Sequence, residues 1–92
     1  MFMETKVERF KEIANDLAEL YEKKNADYGD SFGETYQKLG VISAITRMTD
    51  KLNRFTNLNL KGNQKVNNET LKDTILDLAA YAIMTAIEIE RK

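Results

Sequence analysis

Apolar side chains recur at helical spacing in three stretches of the chain. From about Glu4 to Lys24, Val7, Phe10, Ala14, Leu17 and Tyr21 follow at steps of three and four, with charged residues filling the other face of an amphipathic helix. Val41, Ile45, Met48, Leu52 and Phe55 repeat those steps in a second stretch, and Leu71, Ile75, Leu78, Ala82 and Ile89 lie in a third, the most apolar of the three. Between the first two, Asn25 to Gly33 loses the period and is rich in Asn, Asp, Gly and Ser, which predicts an ordered loop. Ser31 followed three residues later by Glu34 fits a capping box and predicts that the second helix begins there. Gly40 within it predicts a bend or a close backbone approach. Asn57 to Asn68 reads as a polar connection, with Asn67 or Asn68 capping the third helix and Glu69 favourable at the positive end of its dipole.

Proline is absent and there are four glycines, which permits long uninterrupted helices, and no alternating strand pattern or internal repeat is present. The prediction is an all-α fold, a three-helix antiparallel bundle or hairpin, in a single domain over residues 1–92. Helices of about 20 residues would each be ~30 Å long and leave apolar stripes that a second copy would cover. A homo-oligomer is therefore expected. The first helix has near-heptad spacing and suits that contact, either as a coiled coil or as an ordinary amphipathic helix.

Composition narrows the chemistry. With 14 basic and 15 acidic side chains and a net charge of −1, the chain lacks the cationic excess needed to wrap DNA or RNA, although a local basic stripe would suit one small phosphorylated ligand. There is no cysteine and no histidine, which removes thiolate chemistry, disulfides and the usual near-neutral base. Any metal site would be built from oxygen ligands, a set suited to magnesium. The opening Met1-Phe2-Met3-Glu4 has no signal-peptide character and no stretch reaches the length of a membrane span, so the cytoplasm is the expected location and no membrane partner is expected.

Two ionic stripes carry the candidate chemistry. Arg47, Asp50, Lys51 and Arg54 share one face of the second helix, and Asp73, Asp77 and Tyr81 follow four-residue steps on the third. In an antiparallel hairpin, Arg54 approaches the start of the third helix, Lys51 or Asp50 faces Asp73 to Asp77, and Arg47 lies near Tyr81. One reading makes these interhelical salt bridges that fix register. Another has Arg47, Lys51 and Arg54 meeting phosphate oxygens, for which guanidinium forks and a compact ammonium are suited. A third has Asp50, Asp73 and Asp77 holding magnesium. In the Asn25 to Phe32 loop, Asp27, Tyr28 and Ser31 supply hydrogen-bonding groups and a ring that can stack on a base, while Phe32 reads as a packing residue. Lys23 and Lys24 close the first helix and either complement its dipole or reach a ligand. Met48 and Met84 read as core fillers.

Three ordered motifs, Lys24-Asn25-Ala26-Asp27-Tyr28-Gly29-Asp30-Ser31-Phe32, Arg47-Met48-Thr49-Asp50-Lys51-Leu52-Asn53-Arg54 and the run from Glu69 to Ala82, resemble the nucleotide modification associated domain, type one. That family is found largely in phages and prophages, and the resemblance covers about residues 23–87. It implies a nucleotide as ligand class, in the host cytoplasm where the gene is phage-encoded. More distantly the layout looks like the MazG-like all-α nucleoside triphosphate pyrophosphohydrolases, but their three-residue acidic steps are replaced by four-residue steps at Glu69, Asp73 and Asp77. The leading expectation is a nucleotide-binding protein that sequesters a nucleotide or cyclic-nucleotide defence signal. Its contacts would come from Lys24, Asp27, Tyr28, Ser31, Arg47, Lys51, Arg54 and Tyr81. The alternatives are a magnesium-dependent pyrophosphohydrolase using Asp50, Asp73 and Asp77, and a helical interaction module with no small ligand.

Overall fold

A computed structural model describes residues 4–60 and 68–91, which form four α-helices and no strand. The helices are α1 (Lys6–Tyr28), α2 (Ser31–Leu39), α3 (Val41–Leu60) and α4 (Asn68–Glu90). The all-α expectation holds, but the helix count is four where three are predicted. The seven residues after Leu60, with the expected cap at Asn67, lie outside the described residues, as do the first three residues and Lys92. No described helix is long and apolar enough to cross a membrane.

The chain divides into two compact units, Met1–Asp30 and Ser31–Lys92. The first consists of α1, which opens on a capping box absent from the pattern reading. Thr5 Oγ1 accepts from the Glu8 amide at 3.0 Å while the Glu8 carboxylate accepts from the Thr5 amide at 3.2 Å. This satisfies two amides that the first turn otherwise leaves unpaired. Arg9 adds an ion pair to Glu12 at 3.0 Å. A hydrogen bond with Glu12 pushes the Glu4 carboxyl above its ordinary range, and the same bond, reinforced by Arg9, holds Glu12 below its own. Asn25 to Tyr28 continue α1, so the predicted loop shrinks to Gly29 and Asp30. The backbone ladder carries the poor helix formers Asn25 and Asp27 until Gly29, at φ +70°, donates its amide to Asn25 O at 2.8 Å and closes the helix.

In the second unit, Ser31 is the first residue of α2 and stands inside the helix, not at its cap. Gly40 separates α2 from α3. Its φ of +76° is left-handed backbone that an L side chain resists, and its amide closes α2 on Tyr36 O at 2.7 Å. The Ser43 amide and hydroxyl then both donate to Gly40 O, at 3.1 and 2.8 Å, which starts α3 on the carbonyl that α2 leaves behind.

Helices α3 and α4 make the main packing contact. The inward line of α3 is Ala44, Met48, Lys51, Phe55 and Leu58, at steps of four and three. Val41, Ile45 and Leu52, predicted as core, remain exposed. The same correction applies to α4, where Ile75, Ala82 and Ile89 are exposed and the buried residues are Thr74, Thr85 and Glu88. Buried hydroxyls are tolerated here because each bonds its own helix, Thr74 Oγ1 to Thr70 O at 2.9 Å and Thr85 Oγ1 to Tyr81 O at 2.7 Å. Glu88 accepts a hydrogen bond from Gln37 Nε2 of α2 at 3.3 Å. Among the described residues Ala44 is the only hydrophobic side chain that is fully enclosed.

Candidate functional site

A partly open cavity of about 190 Å³ lies within the second unit, lined by Ser31, Phe32, Thr35, Ser43, Arg47, Tyr81 and Met84. The first turn of α2 supplies Ser31 and Phe32, and Thr35 follows one turn on. The first two turns of α3 supply Ser43 and Arg47, and α4 supplies Tyr81 and Met84. Four-residue spacing places Ser31 with Thr35, and Ser43 with Arg47, on the same faces of their helices. The positive end of the α2 dipole lies at this wall and adds to the charge of Arg47.

Aromatic packing forms one side. The Phe32 ring lies 5.7 Å from Tyr81 and 6.5 Å from Tyr36, tilted by 36° and 35°. Both separations are in the range favoured for aromatic pairs. Phe32 is half-buried, as a packing residue should be, and it also lines the cavity.

The polar side is defined by what is already committed. Among the described residues Arg47 has no ion pair or hydrogen bond, so its five donors are available at the cavity wall. Thr35 Oγ1 donates to Ser31 O at 2.9 Å and Ser43 Oγ donates to Gly40 O at 2.8 Å. One turn beyond Arg47, Lys51 Nζ lies 3.2 Å from Asp77 Oδ2.

Of the residues singled out from the sequence, the structure brings Ser31, Arg47 and Tyr81 to one cavity. Lys51 is taken by Asp77, as the salt-bridge reading foresaw, and Arg54 is exposed on α3 away from the cavity lining. Lys24, Asp27 and Tyr28 are exposed residues of the last turns of α1. The metal set Asp50, Asp73 and Asp77 does not assemble. Among the described residues no three His, Cys, Asp or Glu side chains gather to hold an ion, and Asp77 is engaged by Lys51. Thr35 and Ser43 were missed, and Met84, read as a core filler, lines the cavity. The available signal was spacing, since each lies three or four residues from a residue already singled out.

No curated protein and no solved structure shows significant similarity to the chain, and the more distant likeness to MazG-like pyrophosphohydrolases gains no support. The profile of the family described as nucleotide modification associated domain 1 matches residues 24–89, well over half the chain and all three motifs, and the chain belongs to that family.

Proposed function

We propose that the chain binds a nucleotide through the α2–α3–α4 cavity, with Arg47 taking a phosphate and the Phe32–Tyr81 pair offering an aromatic wall to the base. The observation that carries this reading is the uncommitted Arg47 guanidinium beside two packed rings. A guanidinium fork matches phosphate bidentately, and a ring face accepts any base. The family description points to the same ligand class. At about 190 Å³ the cavity is smaller than the ~300–1,000 Å³ of a cleft that encloses a whole small ligand. It therefore suits one phosphate with part of its nucleoside, the rest lying outside.

Self-association belongs to this reading. Val41, Ile45 and Leu52 make an exposed apolar line on α3, and Ile75, Ala79, Ala82, Ala86 and Ile89 follow at steps of four, three, four and three on α4. A heptad-spaced line with small central residues allows close helix approach, and a second copy presents the same line in return. In a phage setting, a ligand held in this way and left unchanged would be a sequestered host signal.

The test is thermal shift of the full chain against linear and cyclic nucleotides, with and without magnesium, followed by chromatography of the recovered ligand. Stabilisation with release of unchanged nucleotide supports binding. A cleaved product would make the protein an enzyme, and no stabilisation by any nucleotide would end the proposal.

A further inference from the structure

We infer that Thr35 and Ser43 act as acceptor-only groups that select ligands presenting an N–H or O–H donor. This rests on the nucleotide reading and deepens it. A hydroxyl has one proton. Thr35 spends its proton on Ser31 O at 2.9 Å and Ser43 spends its own on Gly40 O at 2.8 Å. Both residues line the cavity, and a hydroxyl whose proton is given to the backbone has only lone pairs left to offer a ligand there.

Such a wall discriminates by sign. A phosphate oxygen or a carbonyl set against Thr35 Oγ1 or Ser43 Oγ would face acceptor with acceptor, whereas an amino, imino or hydroxyl group completes a hydrogen bond. Rotating either hydroxyl to serve a phosphate would give up a bond already made at good length, although the Gly40 carbonyl would keep the Ser43 amide. Arg47 is the opposite case, with donors and no acceptor. The cavity is thus divided. The anion belongs at Arg47 and a donor-bearing part of the same ligand belongs at the Thr35–Ser43 edge, either an exocyclic amino group of the base or a sugar hydroxyl.

The experiment is calorimetric titration of the full chain with AMP, N6,N6-dimethyl-AMP and 2′-deoxy-AMP, and in parallel with GMP and inosine monophosphate, which lacks the 2-amino group. Wild type is compared with Thr35→Val and Ser43→Ala, and with Thr35→Ser, which keeps the acceptor in case Thr35→Val does not fold. Loss of the recognised donor weakens binding to wild type and Thr35→Ser by about tenfold or more, since a site built to hydrogen-bond a group rejects the analogue that lacks it. In the variant that has lost the matching acceptor, parent and analogue bind alike. The dimethyl and inosine arms report a base amino group, and the deoxy arm reports a sugar hydroxyl. Tight binding with no discrimination by wild type, or discrimination that survives in both Thr35→Val and Ser43→Ala, overturns the inference and leaves the nucleotide reading standing. No binding of any probe to wild type overturns the inference, and the nucleotide reading falls with it when the linear and cyclic nucleotide panel also gives no stabilisation.

Discussion

Lys51 of α3 and Asp77 of α4 form an ion pair, with Nζ 3.2 Å from Oδ2. Both side chains are partly exposed, so solvent screens the attraction and the pair is worth about 0.5 kcal/mol. It joins α3 to α4 one turn from Arg47 and Tyr81, the two residues that share the cavity, and so offers a contact able to set the register there. A double-mutant cycle of Lys51→Met and Asp77→Asn, read by urea denaturation, should give a coupling of that size that fades as salt is raised. A coupling of zero at low salt would show that packing alone sets the register.

Gly40 makes a sharper prediction. At φ +76° an alanine is strained whatever room surrounds it, and no atom lies within 4 Å of where its Cβ would stand. The cost of Gly40→Ala is therefore backbone strain alone, about 1 kcal/mol, without steric clash. Thermal unfolding monitored by circular dichroism should show a lowered Tm. An unchanged or raised Tm would mean that α2 and α3 tolerate a continuous helix across this position.

The α3–α4 relationship was legible before the structure because charged and aromatic residues at steps of three and four leave few registers open, and Arg47 does reach the same cavity as Tyr81. Two other features were not legible. Asn25 and Asp27 favour turns, yet a helix already growing adds one hydrogen bond per residue and outweighs weak local preference until a glycine stops it. The apolar stripes were real but misassigned. Periodicity identifies a face, not what covers it, and α3 has two such faces, only one of which packs on α4. Thr35 and Ser43 stood out only by their four-residue spacing from Ser31 and Arg47, because their interest comes from where their protons go.

Those uncovered faces bear on assembly. Ile45 and Ala82 are exposed and make no polar bond among the described residues, so Ile45→Glu and Ala82→Glu should disturb the folded unit by no more than about 0.5 kcal/mol. If a second copy covers either line, the matching variant should lower the mass measured by multi-angle scattering, since a buried unpaired charge at an apolar contact is strongly unfavourable. Unchanged mass in both variants would remove these lines as contact surfaces.

Glu88 and Gln37 test the join between α2 and α4. Glu88 is buried and its carboxylate takes a hydrogen bond from the Gln37 amide at 3.3 Å. Gln37→Leu leaves that oxygen without the bond, at a cost of about 1 kcal/mol, because a buried polar group that loses its partner keeps its desolvation penalty. Glu88→Gln keeps a hydrogen-bonding side chain and should cost less. Equal losses would mean that the bond contributes little.

Arg47 separates the ligand reading from a purely structural one. An exposed guanidinium with no partner among the described residues holds nothing together, so Arg47→Ala should leave the unliganded Tm within about 2 °C of wild type. Against a nucleotide it should weaken binding by roughly 10- to 100-fold, the range of a charged hydrogen bond lost. Arg47→Lys should recover only part of that loss, because an ammonium keeps the charge and gives up the fork. The salt dependence of binding should also flatten in Arg47→Ala and persist in Arg47→Lys, since it follows charge and not geometry. A variant that loses stability and leaves nucleotide affinity untouched would instead place Arg47 among the residues that hold α3 against its neighbours.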